Sequence, residues 1–371
     1  MSRNTSALVL ATSSLLALAP LFAPSARADG FRNPPPGAAA LGQGGNVQAL
    51  GTDAAATSFN PANLTRLAAP ELYGGFLIAR SRITFETPDG FSAKSENDWQ
   101  ALPHLYFGTG PVGGDRRLHL GMGLTTPYGQ SAEWDRNSPF KYSAPYQAEM
   151  SVVSLNPNAA YRLCDRLSVG AGVDLFSSMI EFKQEIPWTR LNGTPDGVAK
   201  FEADGAGLGV NAGLAWRPGA GQALALTYRS PVRVDYEGDF TVTGHPMARP
   251  GGELRTDFET DITFPDRVGL AWGMALTDAL RVEADAEWLK WSRVDNLPLD
   301  VDSDFGVLPG RSIPYDWKDT WTYGVGAAWD VAANWTLRAG YTFIESPVPN
   351  ETFSPILSDA DQHVYLSLIH I

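Results

Sequence analysis

The eight residues RVEADAEW (281–288) place Val282, Ala284, Ala286 and Trp288 on one side of an extended chain, and Arg281, Glu283, Asp285 and Glu287 on the other. A strict period of two is the signature of a β-strand with two unlike faces. The same alternation runs through LHLGMGL (118–124), where Leu118, Leu120, Met122 and Leu124 share a face. It returns in WTLRAGYTF (335–343), which groups Trp335, Leu337, Ala339, Tyr341 and Phe343. Such strands suit a sandwich, whose apolar faces bury each other. They also suit a membrane barrel, whose apolar face meets lipid and whose polar face lines the lumen. Alternation alone does not separate the two.

Strand length and connection length do. Extended segments are expected at 70–86, 98–108, 117–128, 147–163, 165–184, 201–216, 222–242, 254–276, 280–295, 317–331, 334–345 and 361–371. Many exceed the ~5–6 residues usual in globular sheets. They reach the ~9–11 residues of a tilted membrane-crossing strand. The connections alternate between long (87–97, 129–146, 185–200, 243–253, 296–316, 346–360) and short, such as RPGAG, TDA and VAAN. Outer-membrane barrels pair short periplasmic turns with longer outer loops in this way. The fold class expected is therefore all-β, an antiparallel transmembrane β-barrel. Trp216, Trp288, Trp291, Trp317, Trp321, Trp329 and Trp335 fall near strand ends and are expected to form interfacial girdles.

Composition narrows the class further. The stretch MSRNTSALVLATSSLLALAPLFAPSARA (1–28) carries one early basic residue, an apolar run and a closing Ala-Arg-Ala. It reads as a secretory signal peptide. No later segment has the ~18 consecutive apolar residues of a membrane helix. A single cysteine, Cys164, excludes an internal disulfide, and a formal charge of −13 argues against nucleic acid as a partner. The five histidines, at 104, 119, 245, 363 and 370, show no metal spacing, and no G-x-S-x-G is present. No enzyme activity, cofactor or metal is expected.

Residues 29–69 break the strand pattern. They are rich in glycine and alanine, open with Pro34-Pro35-Pro36, and carry SFNPANLTRL at 58–67. A compact plug inside the barrel fits such small residues best. The expected division is a signal peptide over 1–28, a plug over 29–69 and a barrel over 70–371.

Several stretches in order carry a family likeness. They are Phe31 near the mature N-terminus, Asn60-Pro61-Ala62, TTPYGQSAEWD (125–135), AYRLCDRLSVGAGVD (160–174), LTYRSPVRVDYEGDF (226–240), FPDRVGLAW (264–272) and YDWKDTWTYGVGAAWDVAANWTLRAGYTFIESPVP (315–349). The chain resembles the FadL family of outer-membrane transporters of long-chain fatty acids and hydrocarbons. The resemblance implies a monomeric 14-strand barrel in the lipid of the Gram-negative outer membrane, plugged by an N-terminal hatch. It implies capture of a hydrophobic ligand at outer loops, an internal pocket, a change at the hatch N-terminus around Phe31, and lateral release beside a kinked third strand.

The residues Thr126-Pro127-Tyr128-Gly129 mark that place. Proline removes a ladder donor, so Pro127 either ends the third strand or kinks it; the resemblance implies the kink. Backbone groups freed in a barrel wall need partners from inside. The expected partner is the hatch motif Asn60, Pro61 and Ala62, since Asn60 offers both donor and acceptor. Lys183 and Arg311 lie near positions where the family places cations for a ligand carboxylate. The chain departs from the family at its end, VYLSLIHI, which lacks a terminal aromatic. About twelve of fourteen strands are expected, as in a C-terminally truncated frame. The alternatives are a general diffusion porin, which needs no plug, and a barrel enzyme.

Overall fold

The computed structural model describes residues 29–371 apart from 87–89, 115, 192, 220, 250–251, 309 and 358. The expected signal peptide lies outside the described residues. Fourteen extended segments build the main wall: β1 Glu71–Ala79, β2 Gln100–Gly108, β3 Leu118–Glu133, β4 Gln147–Cys164, β5 Leu167–Ile186, β6 Gly197–Gly219, β7 Gln222–Arg229, β8 Val232–Thr243, β9 Glu253–Phe264, β10 Arg267–Ala275, β11 Leu280–Leu289, β12 Thr320–Ala332, β13 Trp335–Ile344 and β14 Gln362–His370. They make twelve neighbouring positions, running β1-β2-β3-β4-β5-β6-β7-β10-β11-β12-β13-β14, every pair antiparallel.

Two expected strands are each cut by proline. The segment expected at 222–242 breaks between β7 and β8 at Ser230-Pro231, and that at 254–276 breaks between β9 and β10 at Pro265-Asp266. A proline cannot donate into a ladder, so the pairing partner changes there. β6 pairs with β7 along Asn211–Trp216 and with β8 along Ala199–Gly207. The segment expected at 70–86 also stops early, at Ala79; Thr84–Glu86 forms a small separate hairpin with Ser92–Lys94.

The polar face turns inward. On β5 the buried positions Ser168, Asp174 and Ser178 alternate with exposed Val173, Leu175 and Met179. On β11 buried Glu283 and Glu287 share the inner face. Lipid-facing Leu208, Val210, Leu226, Leu270 and Val325 are exposed. This is the inverted alternation of a membrane barrel. Trp216, Trp321, Trp329 and Trp335 are exposed as girdle residues should be. Trp291 and Trp317 are not; both are buried inside. They follow the end of β11 and precede β12, so strand parity no longer sets their direction.

Residues 29–69 pack against the inner face of the wall. Inward glycines make this close approach possible. A Cβ at Gly170 would sit 2.5 Å from the backbone of Pro61 and Ala62. One at Gly213 would sit 2.1 Å from Asn60 Oδ1. On the far side of the wall, a Cβ at Gly324 would sit 2.1 Å from Asn46 Oδ1.

Candidate functional site

β3 does not end at Pro127. It continues to Glu133, but its register with β4 slips: Thr125 pairs with Ser154 and Tyr128 with Val152. Three steps on β3 therefore oppose two on β4, which is a β-bulge. One extra residue reverses the parity of everything beyond it. Before the bulge His119, Gly121, Gly123 and Thr125 face inward; after it Tyr128 and Ala132 do. The bulge thus aims the Tyr128 ring into the lumen.

It also opens the wall. β2 and β3 pair only along Leu105–Gly108 and Gly121–Leu124. Further out, Asn97 bridges the strands again: its Nδ2 donates to Ser131 O at 3.0 Å and its Oδ1 accepts from Glu133 N at 2.7 Å. Between these closures, Gln100–His104 and Thr125–Gln130 bound a window without ladder bonds across it.

The freed backbone groups are met from inside by the chain's first described residues. Gly129 N donates to Phe31 O at 2.8 Å, and Asn33 N donates to Pro127 O at 3.0 Å. Asn33 Nδ2 donates to Thr126 O at 3.0 Å. Arg32 and Tyr128 form a short antiparallel bridge between these bonds. The residues that make these bonds are Phe31 and Asn33, not the expected Asn60. Asn60 caps its own helix: its Oδ1 accepts from Ala62 N at 3.1 Å at the head of the 3-10 turn Pro61–Arg66. Its Nδ2 donates to Gln48 O at 3.0 Å and to Leu214 O on β6 at 3.2 Å. Asn-Pro is a natural N-cap followed by N1 proline, so local chemistry claims the side chain. Asn60, Pro61 and Ala62 dock on β5 and β6, not on the β3 bulge.

Phe31 is buried in a nest of rings. Its centroid lies 4.7 Å from Trp317, 6.1 Å from Trp291 and 6.5 Å from Phe264. Tyr128 joins through Phe264 at 4.7 Å, and Phe176 stands 6.0 Å from Tyr128. Beside this nest a cavity of about 800 Å³ extends along Asn33, Phe176, Phe264 and Arg267. It reaches the window at Leu102 and Thr126–Gln130 and the edge of β14 at Gln362 and Val364.

Charges line its inner end. Arg32 Nη1 lies 2.6 Å from Glu287 Oε2 and 3.4 Å from Asp29 Oδ2. Arg267 shares Glu287 at 3.6 Å. Arg229 pairs with Asp174 and donates to Ser58 O at 2.9 Å. The two cations expected to meet a carboxylate lie elsewhere. Lys183 stands on the face of β5 opposite Phe182, 2.7 Å from Glu181 and 3.1 Å from Gln147 Oε1. Arg311 is exposed in the long connection between β11 and β12.

Above the bulge, outer connections make an apolar cap. Trp134 and Phe140 are buried together, with Ile83, Phe85 and Ile356 packed against them. Gln130 Nε2 donates to Ile356 O, which ties the cap to β3. From the same connection Asp359 Oδ2 accepts from Gly30 N at 3.0 Å. Burial pushes the Asp359 carboxyl up to about 7, the Gly30 N–H opposes the rise and nearby Asp29 adds to it. A carboxyl raised by folding holds its proton more tightly in the folded state, so this stabilisation is full below the ordinary carboxylate range and is lost as pH rises through about 7. Between pH 5 and 8 the unfolding temperature of Asp359→Asn is expected to gain on that of the parent chain. A difference that stays flat with pH contradicts this assignment.

A family model described as outer membrane protein transport protein (OMPP1/FadL/TodX) matches residues 20–367. The chain belongs to this family. As an OMPP1/FadL/TodX protein it is an outer-membrane β-barrel of Gram-negative bacteria. It is 24% identical over 356 residues to a long-chain fatty acid transport protein of Escherichia coli O6:H1, covering 85% of this chain and 76% of that one. It is 23% identical over 365 residues to outer membrane protein P1 of Haemophilus influenzae, again covering 85% and 76%. Among solved structures, a Pseudomonas aeruginosa FadL homologue superposes with a TM-score of 0.73 at 20% identity, covering 90% of this chain and 85% of that one. The Pseudomonas putida toluene transporter TodX gives 0.70 at 20% identity, covering 91% and 89%. At these identities the structures speak to fold. In this OMPP1/FadL/TodX chain the contacts that sequence reasoning missed are Arg32, Asn33, Glu287 and Asp359. Of these only Glu287 carried a signal, as a charge on the polar face of β11.

Proposed function

We propose that this chain carries hydrophobic small molecules across the outer membrane and releases them sideways through the window between β2 and β3. Residues 29–69 act as the hatch, and Phe31–Asn33 is its movable end. The observation that supports this most is the continuity of the cavity with the window, where Phe31 and Asn33 hold the bulge by three hydrogen bonds. The apolar cap of outer connections, with half-exposed Phe353 stacked at 6.5 Å on Phe85, suits first capture.

The route has a thermodynamic direction. An apolar ligand gains about 0.8 kcal/mol per CH₂ on leaving water for hydrocarbon. Exit into lipid is downhill, whereas exit into the periplasm is not, so no energy source is required. The relatives named for transport of long-chain fatty acids and of toluene accord with such a route.

Cells lacking endogenous hydrophobic-compound transporters and expressing this chain are expected to take up labelled naphthalene or oleate several-fold faster than vector controls. They are expected to gain no conductance for sugars. Sugar conductance without hydrophobic uptake would make the chain a porin instead.

A further inference from the structure

Resting on that reading, we infer that Arg80 forms an outer subsite, which takes the carboxylate head of an amphiphile at the lip of the window. Four guanidiniums line the cavity, those of Arg32, Arg80, Arg229 and Arg267. Three are already spent on carboxylates. Arg32 and Arg267 share Glu287, Arg32 also meets Asp29, and Arg229 is paired with Asp174. Arg80 is the one of the four with no ion-pair partner among the described residues. Lys183 and Arg311, the cations that the family likeness favoured, are not among the residues lining the cavity.

Arg80 stands on the frame of the window. It follows the last residue of β1, where Ala79 pairs with Gln100 of β2. Its Nε donates to Asn97 O at 2.7 Å. Asn97 is itself buried and tied on both sides: its Nδ2 donates to Ser81 Oγ and to Ser131 O, and its Oδ1 accepts from Glu133 N. The same Asn97 bonds close the window on its outer side. A guanidinium fixed through Nε still presents two Nη groups as a planar fork, which matches a carboxylate. Such preorganisation lowers the ordering cost of binding.

The level of the subsite matters as much as its charge. Exposed Trp99, beside Gln100, marks the outer interface. A carboxylate is costly to bury in hydrocarbon, but at that level it keeps contact with water. Arg80 is exposed there, so a head group reaches it without entering the ring nest. The tail can then pass between β2 and β3 into lipid while the head stays at the interface. Asp361 lines the same end of the cavity, but it makes no ion pair with Arg80, and its Oδ1 accepts from Ser346 N at 2.9 Å. A neutral ligand makes no use of the fork and follows the apolar path alone. Exposed ion pairs gain only modestly, so the expected effect on an acid is several-fold rather than hundredfold.

The test uses two probes with the same tail, radiolabelled dodecanoate and 1-dodecanol, at pH 8. Binding is read by scintillation proximity on the full chain immobilised in a non-ionic detergent, with folding checked by heat-modifiable migration. Arg80→Gln is expected to weaken dodecanoate about fivefold and 1-dodecanol less than twofold. Arg80→Lys, which keeps the charge but not the fork, is expected to recover part of the loss for dodecanoate. Unchanged dodecanoate binding in Arg80→Gln overturns the inference. Equal weakening of both probes also overturns it, because Arg80 would then serve the tail or the packing of the lip. Loss of co-purifying lipopolysaccharide from Arg80→Gln, with dodecanoate binding intact, assigns Arg80 to lipid headgroups and overturns it too. In all three cases 1-dodecanol still binds the parent chain, and the transport reading stands. Binding of neither probe to the folded parent removes the cavity as a ligand site and the inference with it.

Discussion

Glu287→Ala is expected to free the segment Phe31–Asn33 from the wall. In the native lumen one carboxylate serves two guanidiniums, Arg32 at 2.6 Å and Arg267 at 3.6 Å. All three side chains are largely shielded from solvent. Removing one partner of such a group strands the other charges, at a cost of about 3–5 kcal/mol. A loss of about 3 kcal/mol corresponds to roughly a hundredfold change in an equilibrium. The segment that loses its anchor is Phe31–Asn33, because Arg32 sits between the residues that hold the β3 bulge. Tryptic cleavage after Arg32 is expected to rise by roughly that factor, while the outer wall stays resistant. Glu287→Gln keeps an acceptor and should fall between. If cleavage after Arg32 is unchanged in Glu287→Ala, the ion pair does not hold this segment.

The wall was legible in the sequence because lipid imposes a strict rule on it. Period-two alternation and alternating connections placed twelve strand positions, and the inner polar face followed from Arg281, Glu283, Asp285 and Glu287. The rule weakens where the wall leaves the membrane. On β5 the inner face changes from Ser168 and Asp174 to Phe176, Ile180 and Phe182, so Lys183 falls on the outer side with Glu181. A reader tracking composition rather than parity sends Lys183 inward. Pro231 and Pro265 were visible as ladder breakers, but the change of partner they cause depends on strands far away in sequence.

The site was half legible. Thr126-Pro127-Tyr128-Gly129 announced a defect, and a backbone freed in a barrel wall demands partners from inside. What the residues did not reveal was which segment answers. Asn33 reaches Thr126 across 93 positions of chain and has no sequence signature of its own beside three prolines. Asn60 drew attention because Asn-Pro is rigid and polar, yet those same properties make it a helix cap. The bulge itself was hidden because a one-residue slip needs the partner strand to define it.

Deleting Thr126 tests the central claim most directly. The deletion leaves two steps on β3 opposite two on β4, so the register slip between Thr125 and Tyr128 has nothing to accommodate. The ladder then runs on, and the Asn33 side chain loses its acceptor at Thr126 O. With insertion verified by heat-modifiable migration, uptake of labelled naphthalene by cells carrying the deletion is expected to fall more than tenfold, to the vector level. Uptake equal to that of the parent chain, from a correctly inserted barrel, would show that ligand does not leave through the window between β2 and β3.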